Sequence, residues 1–116
     1  MVMTAIDLVK EAKKTINEVS VEQANRMITS GSIVLDVREV AEFEAGHIPN
    51  TVHLSRGVLE FKICDHEKFQ DRDAPILIYC RSGGRSALAT IALKKLGFTD
   101  VHSMGGGFEL WSQTKS

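Results

Sequence analysis

The stretch from Pro75 to Gly97 constrains the fold more than any other part of the chain. It opens with Ile76-Leu77-Ile78-Tyr79, a short run that is apolar on both faces, as a strand buried inside a sheet is. A polar segment with two glycines and two arginines follows, from Cys80 to Ser86. The next residues, 87–96, are apolar nearly all round and predict a buried helix that ends at the glycine. A buried strand, a loop and a buried helix in this order indicate a parallel α/β unit.

The rest of the chain repeats this alternation. Short apolar runs rich in β-branched residues predict three further strands, at 33–37, 51–54 and 100–103. Apolar residues at helical spacing predict helices at 5–16 and 21–28, the second with a capping box that begins at Ser20 and with Gly31 as a stop signal. A short helix is predicted at 39–45, where Gly46 ends it. Helical turns are predicted at 58–63 and 67–69, and a short helix through Trp111 closes the chain. The pattern predicts an α/β fold with a largely parallel sheet.

The composition limits the classes of function. A chain of 116 residues fits one domain, and a formal net charge of -1 argues against a general nucleic-acid binder. No apolar run approaches the ~20 residues of a membrane span. Residues 1–14 carry charges throughout and lack the apolar core of a secretory signal. We therefore expect a cytoplasmic protein that contacts neither membrane nor nucleic acid, with Cys64 and Cys80 as free thiols. The histidines show no spacing that suggests a metal site.

Cys80 follows a predicted strand at the carboxyl end, which is where parallel sheets bind their ligands. Gly83 and Gly84 allow the loop backbone to turn its N–H groups inward, and the helix that follows presents its positive end to an anion. We therefore expect Cys80 to be a thiolate and a nucleophile. Arg81 and Arg85 add positive charge whose geometry suits a sulfonate or a phosphate. A buried, inert thiol would explain the cysteine but neither the glycines nor the arginines.

Four short motifs occur along the chain in a fixed order. They are Asp36-Val37-Arg38-Glu39 with Glu42-Phe43, then Gly46-His47-Ile48-Pro49, then CRSGGRS at 80–86, and finally Gly106-Gly107 with Trp111. Each motif alone is weak, but in this order and spacing they make the chain resemble the single-domain rhodaneses, a sulfurtransferase family. The resemblance runs from about residue 17 to residue 112. It divides the chain into an N-terminal helical extension, 1–16, and a rhodanese-like domain, 17–116.

The resemblance implies both a fold and an activity. The implied fold is a central, mostly parallel sheet with helices on both faces, to which this chain adds an N-terminal helix. The implied activity moves a sulfane sulfur from thiosulfate or a similar donor to cyanide or a thiol, through a persulfide on Cys80 and without a metal or organic cofactor. A protein could also act as sulfur donor or acceptor. The implied substrate-binding residues are those of the loop: Arg81, Ser82, Gly83, Gly84, Arg85 and Ser86.

Two other functions stay open at this point. Relatives with one more residue in the loop, C-x5-R, include phosphatases and arsenate reductases, whereas Cys80 to Arg85 reads C-x4-R. A tetrahedral phosphate ester needs a wider ring of N–H groups than a single sulfur does, so the short loop favours the sulfurtransferase. A non-catalytic binding module of the same fold is the other alternative. The intact cysteine and arginines argue against it.

Several further residues have more than one interpretation. Asp36 and Arg38 follow a buried strand, where they could tune the site but more simply form a structural ion pair. Arg56 could approach the substrate, or it could be an ordinary surface arginine. Cys64 has no glycine loop and is expected to be unreactive, although a role as a resolving partner of Cys80 stays open. At the family's usual glycine after Gly46-His47-Ile48-Pro49 stands Asn50, which tolerates the left-handed conformation that the turn requires.

Overall fold

A computed structural model describes residues 2–115 of the chain. Within this range five strands form one sheet, in the order β1-β5-β4-β2-β3, and each neighbouring pair is parallel. The strands are β1 (Asn17–Val19), β2 (Ile33–Asp36), β3 (Val52–His53), β4 (Ile76–Tyr79) and β5 (Val101–Met104). The α-helices are α1 (Ala5–Lys13), α2 (Val21–Thr29), α3 (Val40–Ala45), α4 (Leu59–Ile63), α5 (Gly84–Lys95) and α6 (Gly107–Thr114). Two short 3₁₀ turns, Arg56–Val58 and Glu67–Phe69, flank α4.

The predicted α/β architecture is confirmed, and β4 lies at its centre. Ile76 and Ile78 point into a core that also contains Leu59 of α4 and Leu93 of α5. The alternate residues of β4, such as Leu77, point into a second core formed with α2 and α6 on the opposite face. All four β4 side chains are fully buried, as the run without polar residues predicted.

The structure differs from the sequence-based prediction at the start of α5 and at β1, and it confirms the turn at Asn50. Helix α5 begins at Gly84 instead of Ala87, because Gly83 adopts a left-handed conformation (φ 111°) and starts the helix inside the loop. Strand β1 was not predicted, since its residues Asn17–Val19 are few and two of them are exposed at the sheet edge. Asn50 has φ 63°, which confirms that asparagine serves in the left-handed turn where the family carries glycine.

The N-terminal helix α1 packs against α5, and Ala12 is the residue of α1 that becomes buried. Thr4 begins the helix with a capping box: its hydroxyl accepts the N–H of Asp7, whose carboxylate accepts the N–H of Thr4. The Lys94 ammonium donates to the carbonyl of Thr15 and fastens the segment after the helix. The side of α1 that carries Val9 and Ala12 therefore docks on the domain. Among the helices of residues 2–115, none combines the length and apolar character that a bilayer crossing requires.

Candidate active site

Cys80 directly follows the central strand β4, and its side chain is only 1% exposed. The backbone folds back on the sulfur, so that the N–H of Gly83 donates to Cys80 Sγ at 3.1 Å. Gly83 reaches this position with φ 111°, which a residue with a side chain rarely adopts. It is also the N-cap of α5, so the sulfur lies at the positive end of a twelve-residue helix. Gly84 is the first residue of that helix and takes no left-handed conformation.

Two buried serines lie below the sulfur. Cys80 Sγ is 3.6 Å from Ser86 Oγ, which is 2.8 Å from Ser103 Oγ on β5, and both serines are fully buried. The Ser86 hydroxyl also donates to the Gly83 carbonyl at 3.3 Å. When Ser103 donates to Ser86, the Ser86 proton is free to turn from this carbonyl to an anionic sulfur. The pair can therefore adapt to the charge on the sulfur without contact with bulk water.

Helix α6 holds the other side of the loop. The N–H groups of Phe108 and Glu109 donate to the carbonyls of Cys80 and Arg81 at 2.8 and 3.0 Å. Gly107 makes this approach possible: a Cβ there would lie 2.6 Å from the Cys80 carbonyl oxygen and closer still to that of Arg81. Gly107, from the Gly106-Gly107 motif, therefore allows the start of α6 to lie against the Cys80 loop.

Arg85 and Glu42 form a two-point ion pair beside the loop. The Arg85 guanidinium donates to both carboxylate oxygens at 2.7 and 3.0 Å. The hydrogen bond from Arg85 lowers the pKa of Glu42 from 4.5 to about 2, and the same bond raises the pKa of Arg85. Arg85 is the second residue of α5, so its cationic side chain leaves the first turn of the helix whose N-cap contacts the sulfur. Glu42, from the second half of the first motif, thereby ties α3 to the start of α5.

The low pKa of Glu42 predicts how stability depends on pH. Since the folded value of about 2 lies below the ordinary 4.5, the ion pair stabilises the fold fully above pH 4.5 and is lost as the pH falls toward 2. In thermal melts, Glu42→Gln should therefore be less stable than wild type at neutral pH, and the difference should shrink between pH 5 and pH 2. Glu44→Gln, an exposed neighbour on α3, is the control. A difference that stays constant over this range would contradict the assignment.

The Arg81 side chain is more exposed than that of Arg85. Its Nε lies 3.2 Å from Glu109 Oε2, and 70% of its side chain is accessible. Both residues border a cavity of about 300 Å³ beside the loop, which Arg38, Glu42 and Phe108 also line. Arg81 and Arg85, the two arginines assigned to the substrate, thus differ: one is exposed at the mouth of this cavity and the other is held in a half-buried pair.

Asp36 and Arg38 form a buried ion pair at the end of β2. Arg38 Nη2 is 2.7 Å from Asp36 Oδ2, and the same nitrogen donates to the Gly46 carbonyl at 2.7 Å. The guanidinium stacks over Phe108, 4.5 Å from the ring centre. Burial acts to lower the pKa of Arg38, whereas the hydrogen bond and the charge of Asp36 act to raise it. Together the raising effects are larger, so the pKa of Arg38 lies above its ordinary value. This pair fixes the Gly46 turn and α6 to the sheet.

The remaining candidate residues lie outside these contacts. Arg56 pairs with Glu60, four residues on, at 2.9 Å and borders a groove along α5 with Leu8 of α1. Ser82 is exposed at the tip of the loop. Cys64 is free, half-buried and packed against the core on the α4 side. Within residues 2–115 no cluster of His, Cys, Asp and Glu has the arrangement that a metal ion requires.

The roles of four groups near the loop were not predicted from the sequence. Glu42 was part of a recognised motif without an assigned function, and Glu109 belongs to no motif. Ser103 is a hydroxyl residue at a fully buried position of β5, which is the one pattern that could have revealed it. Tyr79 lies at the end of β4, where its hydroxyl accepts the Ile48 N–H at 3.1 Å and burial raises its pKa.

Comparison with known proteins decides the family. The model of the rhodanese-like domain matches residues 20–114, which include the Cys80 loop and every strand except β1. The chain belongs to the rhodanese-like family. Thiosulfate sulfurtransferase GlpE of Pseudomonas syringae is 40% identical over 93 residues, which are 80% of this chain and 84% of the relative. The family predicted from the four motifs is thereby confirmed.

Solved structures agree with this assignment. The human single-domain sulfurtransferase TSTD1 shares 25% identity, with a TM-score of 0.76 over 85% of this chain and 97% of its own. A Rhodopseudomonas palustris protein of unknown function, described as a possible tyrosine phosphatase, shares 29% identity with a TM-score of 0.91. It covers 100% of this chain, α1 included, and the chain covers 94% of it. Together with the curated relatives, these findings confirm the predicted rhodanese fold and sulfurtransferase class.

Proposed function

We propose that this sulfurtransferase takes a sulfane sulfur from thiosulfate or a similar small donor and carries it as a persulfide on Cys80. The observation that carries the proposal is the Gly83 N–H, 3.1 Å from Cys80 Sγ at the start of α5. A hydrogen bond to sulfur from a helix N-terminus favours the anionic form, which is the nucleophilic one. The thiosulfate named in the relatives' activity supplies a dianionic donor that fits this electropositive end.

The first half-reaction loads the enzyme. The Cys80 thiolate attacks the outer sulfur of thiosulfate, an S–S bond forms between them, and the bond from that sulfur to the sulfonate breaks. Sulfite leaves with the electron pair, so Cys80 now carries a persulfide with its negative charge on the outer sulfur. The Gly83 N–H and the Ser86 hydroxyl, which lie 3.1 and 3.6 Å from Cys80 Sγ, are the donors available to that charge.

The second half-reaction returns the thiolate. An acceptor anion attacks the outer sulfur, and the persulfide bond breaks with its electron pair on Cys80 Sγ. Cyanide becomes thiocyanate in this step, and a thiolate becomes a new persulfide, so charge and electrons balance in both cases. Cys80 is 1% exposed, so the persulfide is shielded until a small acceptor, or a thiol presented by a protein, reaches the loop. We place this chemistry in the cytoplasm because it needs a reduced thiol.

The experiment that tests the proposal is the intact mass of the protein after incubation with thiosulfate. We expect a gain of one sulfur atom on the Cys80 peptide, released sulfite, and full reversal by cyanide or a thiol. Loss of the adduct in a reductant separates a persulfide from irreversible oxidation. A protein that takes up no sulfur and releases no sulfite would refute the proposal.

A phosphatase is the second function with an observation in its favour, namely the likeness to the Rhodopseudomonas palustris protein. Only four residues separate Cys80 from Arg85, and Arg85 is engaged by both oxygens of Glu42. This leaves little room, and few free donors, for a tetrahedral phosphate ester. The same sample incubated with an aryl phosphate should release no phosphate; release without sulfur uptake would favour the phosphatase.

The two loop arginines should contribute unequally to turnover of thiosulfate. Arg85→Ala removes a cation from the first turn of α5 and leaves the Glu42 carboxylate without its ion partner, so kcat/KM should fall roughly 10- to 150-fold, which corresponds to about 1.5–3 kcal/mol. Arg81→Ala breaks a mostly exposed pair and should cost only about 2- to 5-fold. Arg85→Lys should lose less activity than Arg85→Ala, because lysine keeps the positive charge but lacks the planar guanidinium that donates to both oxygens of Glu42.

Steady-state kinetics with varied thiosulfate, with a thermal melt of each variant, measure these effects. If Arg85→Ala lowers the melting temperature but leaves kcat/KM unchanged, the role of Arg85 is purely structural. If both alanine variants match wild type, the arginines do not handle the donor's charge, and an uncharged persulfide presented by another protein would be the better donor.

A further inference from the structure

The N-terminal helix, which lies outside the residues matched by the family model, touches the catalytic loop. A Cβ placed on Gly84 would lie 3.6 Å from Val9 Cγ2. One placed on Gly83, the residue whose N–H bonds the sulfur, would lie 3.7 Å from Lys13 Nζ and 3.8 Å from Glu18 Oε2. The back of the loop is therefore covered by α1 and by the edge strand β1.

Lys13 and Glu18 form an ion pair at this place. Lys13 Nζ lies 3.3 Å from Glu18 Oε2, and a little over one third of each side chain is exposed. Glu18 is also confined from its other side, since a Cβ on Gly105 would come within 3.2 Å of its carboxyl carbon. The edge of the sheet thus places the Glu18 carboxylate behind the Cys80 loop, where the proposed reaction gives the sulfur a negative charge.

Three further ion pairs lie next to the loop. Arg85 pairs with Glu42 on α3, and Arg81 pairs with Glu109 on α6. Asp36 and Arg38, at the end of β2, neutralise one another. Lys13 is the cation of a fourth ion pair next to the loop, the one on the α1 side. It comes from the segment assigned to the N-terminal extension.

We propose that Lys13 is a positioning residue of the active site, which neutralises Glu18 behind the catalytic loop and so removes a repulsion against the anionic sulfur on Cys80. The inference rests on the proposed persulfide reaction, because a neutral sulfur would not sense the carboxylate. It gives α1 a role in catalysis: the helix delivers a compensating charge that residues 20–114 do not supply at this place. Partial exposure keeps the effect moderate, since water screens the pair.

The test compares kcat/KM for thiosulfate among charge variants at low ionic strength. Lys13→Ala should lose roughly 2- to 5-fold, and Lys13→Arg should stay near wild type. The double variant Lys13→Ala with Glu18→Gln should recover wild-type turnover, because no uncompensated carboxylate remains. Salt at about 0.5 M should shrink the single-variant loss. Lys10→Ala, an exposed lysine in the same last turn of α1, is the matched control and should have no effect.

The outcomes separate this inference from the function on which it rests. Wild type that takes up no sulfur from thiosulfate refutes the proposed function. Wild type that takes up sulfur while Lys13→Ala turns over normally refutes only the role of Lys13. A double variant that stays as slow as Lys13→Ala, at every salt concentration, also refutes it, because the lysine would then act through packing. Recovery in the double variant, with Lys10→Ala unchanged, supports it.

Discussion

Cys80→Ser is expected to abolish transfer of sulfur from thiosulfate to cyanide, to less than about one part in 10⁴ of the wild-type rate. A serine hydroxyl is not ionised at neutral pH and cannot carry a transferred sulfur as a persulfide. The fold should survive, because the oxygen occupies less space than the sulfur it replaces and can accept the same Gly83 N–H. Turnover of thiosulfate and a thermal melt of the purified variant are the two measurements. Wild-type turnover would exclude Cys80 as the nucleophile.

Cys64→Ser is the matched control for this loss. Cys64 is the other free thiol, half-buried at the end of α4 against the core of the α5 face, and none of the loop contacts involves it. Its replacement should leave kcat/KM close to wild type and should lower the melting temperature by a few degrees at most. A large loss of turnover in a folded Cys64→Ser protein would instead indicate that the two cysteines act together.

The centre of the molecule could be predicted from the sequence because its signals are local. Ile76 to Tyr79 has no polar residue, and a strand without a polar face must be covered on both sides. The glycines that follow predicted a loop wrapped around Cys80. Gly83 does wrap around the sulfur, but Gly84 already belongs to α5. These features depend on residues that are neighbours in the chain, so a pattern within a few residues contains them.

The partners of the loop could not be predicted because they are distant in the chain. Glu42 is 43 residues from Arg85, Glu109 is 28 from Arg81, and Ser103 is 17 from Ser86. No periodicity connects such positions; only the order of strands in the sheet brings them together. Edge strand β1 escaped prediction for a related reason, since its three residues acquire their conformation from pairing with β5.

The Asp36–Arg38 pair shows how a motif can be recognised while its role depends on the structure. The sequence alone did not decide whether the pair tunes the site or has a structural role. Asp36 is fully buried, and it accepts both the Arg38 side chain and the Arg38 backbone N–H, the latter at 2.8 Å. Arg38 in turn binds the Gly46 carbonyl and stacks on Phe108, while its edge borders the cavity beside the loop. These contacts join β2, the Gly46 turn and α6, so the structural role dominates.

Arg38→Met should therefore destabilise the protein more than any other single change considered for this site. It leaves the Asp36 carboxylate buried without its counter-ion and the Gly46 carbonyl without its donor. Breaking a buried ion pair by removing one partner costs about 3–5 kcal/mol, a large part of the stability of a domain this size. Chemical denaturation should show this loss in the free energy of unfolding, and Arg38→Lys should recover only part of it, because lysine lacks the planar fork.

The exposed pair of Arg26 with Glu22 provides the comparison. Arg26→Met removes the same kind of side chain from a pair whose members are 66% and 84% exposed, and it should cost no more than about 1 kcal/mol. If Arg38→Met is too unstable to purify, Asp36→Asn tests the same contact with a smaller change, since the amide oxygen still accepts from the guanidinium. Equal free energies of unfolding for Arg38→Met and Arg26→Met would mean that the buried pair does not hold α6 and the Gly46 turn against the sheet. A loss of stability at Arg38 with kcat/KM preserved in the folded fraction would place its whole contribution in the scaffold beneath Cys80.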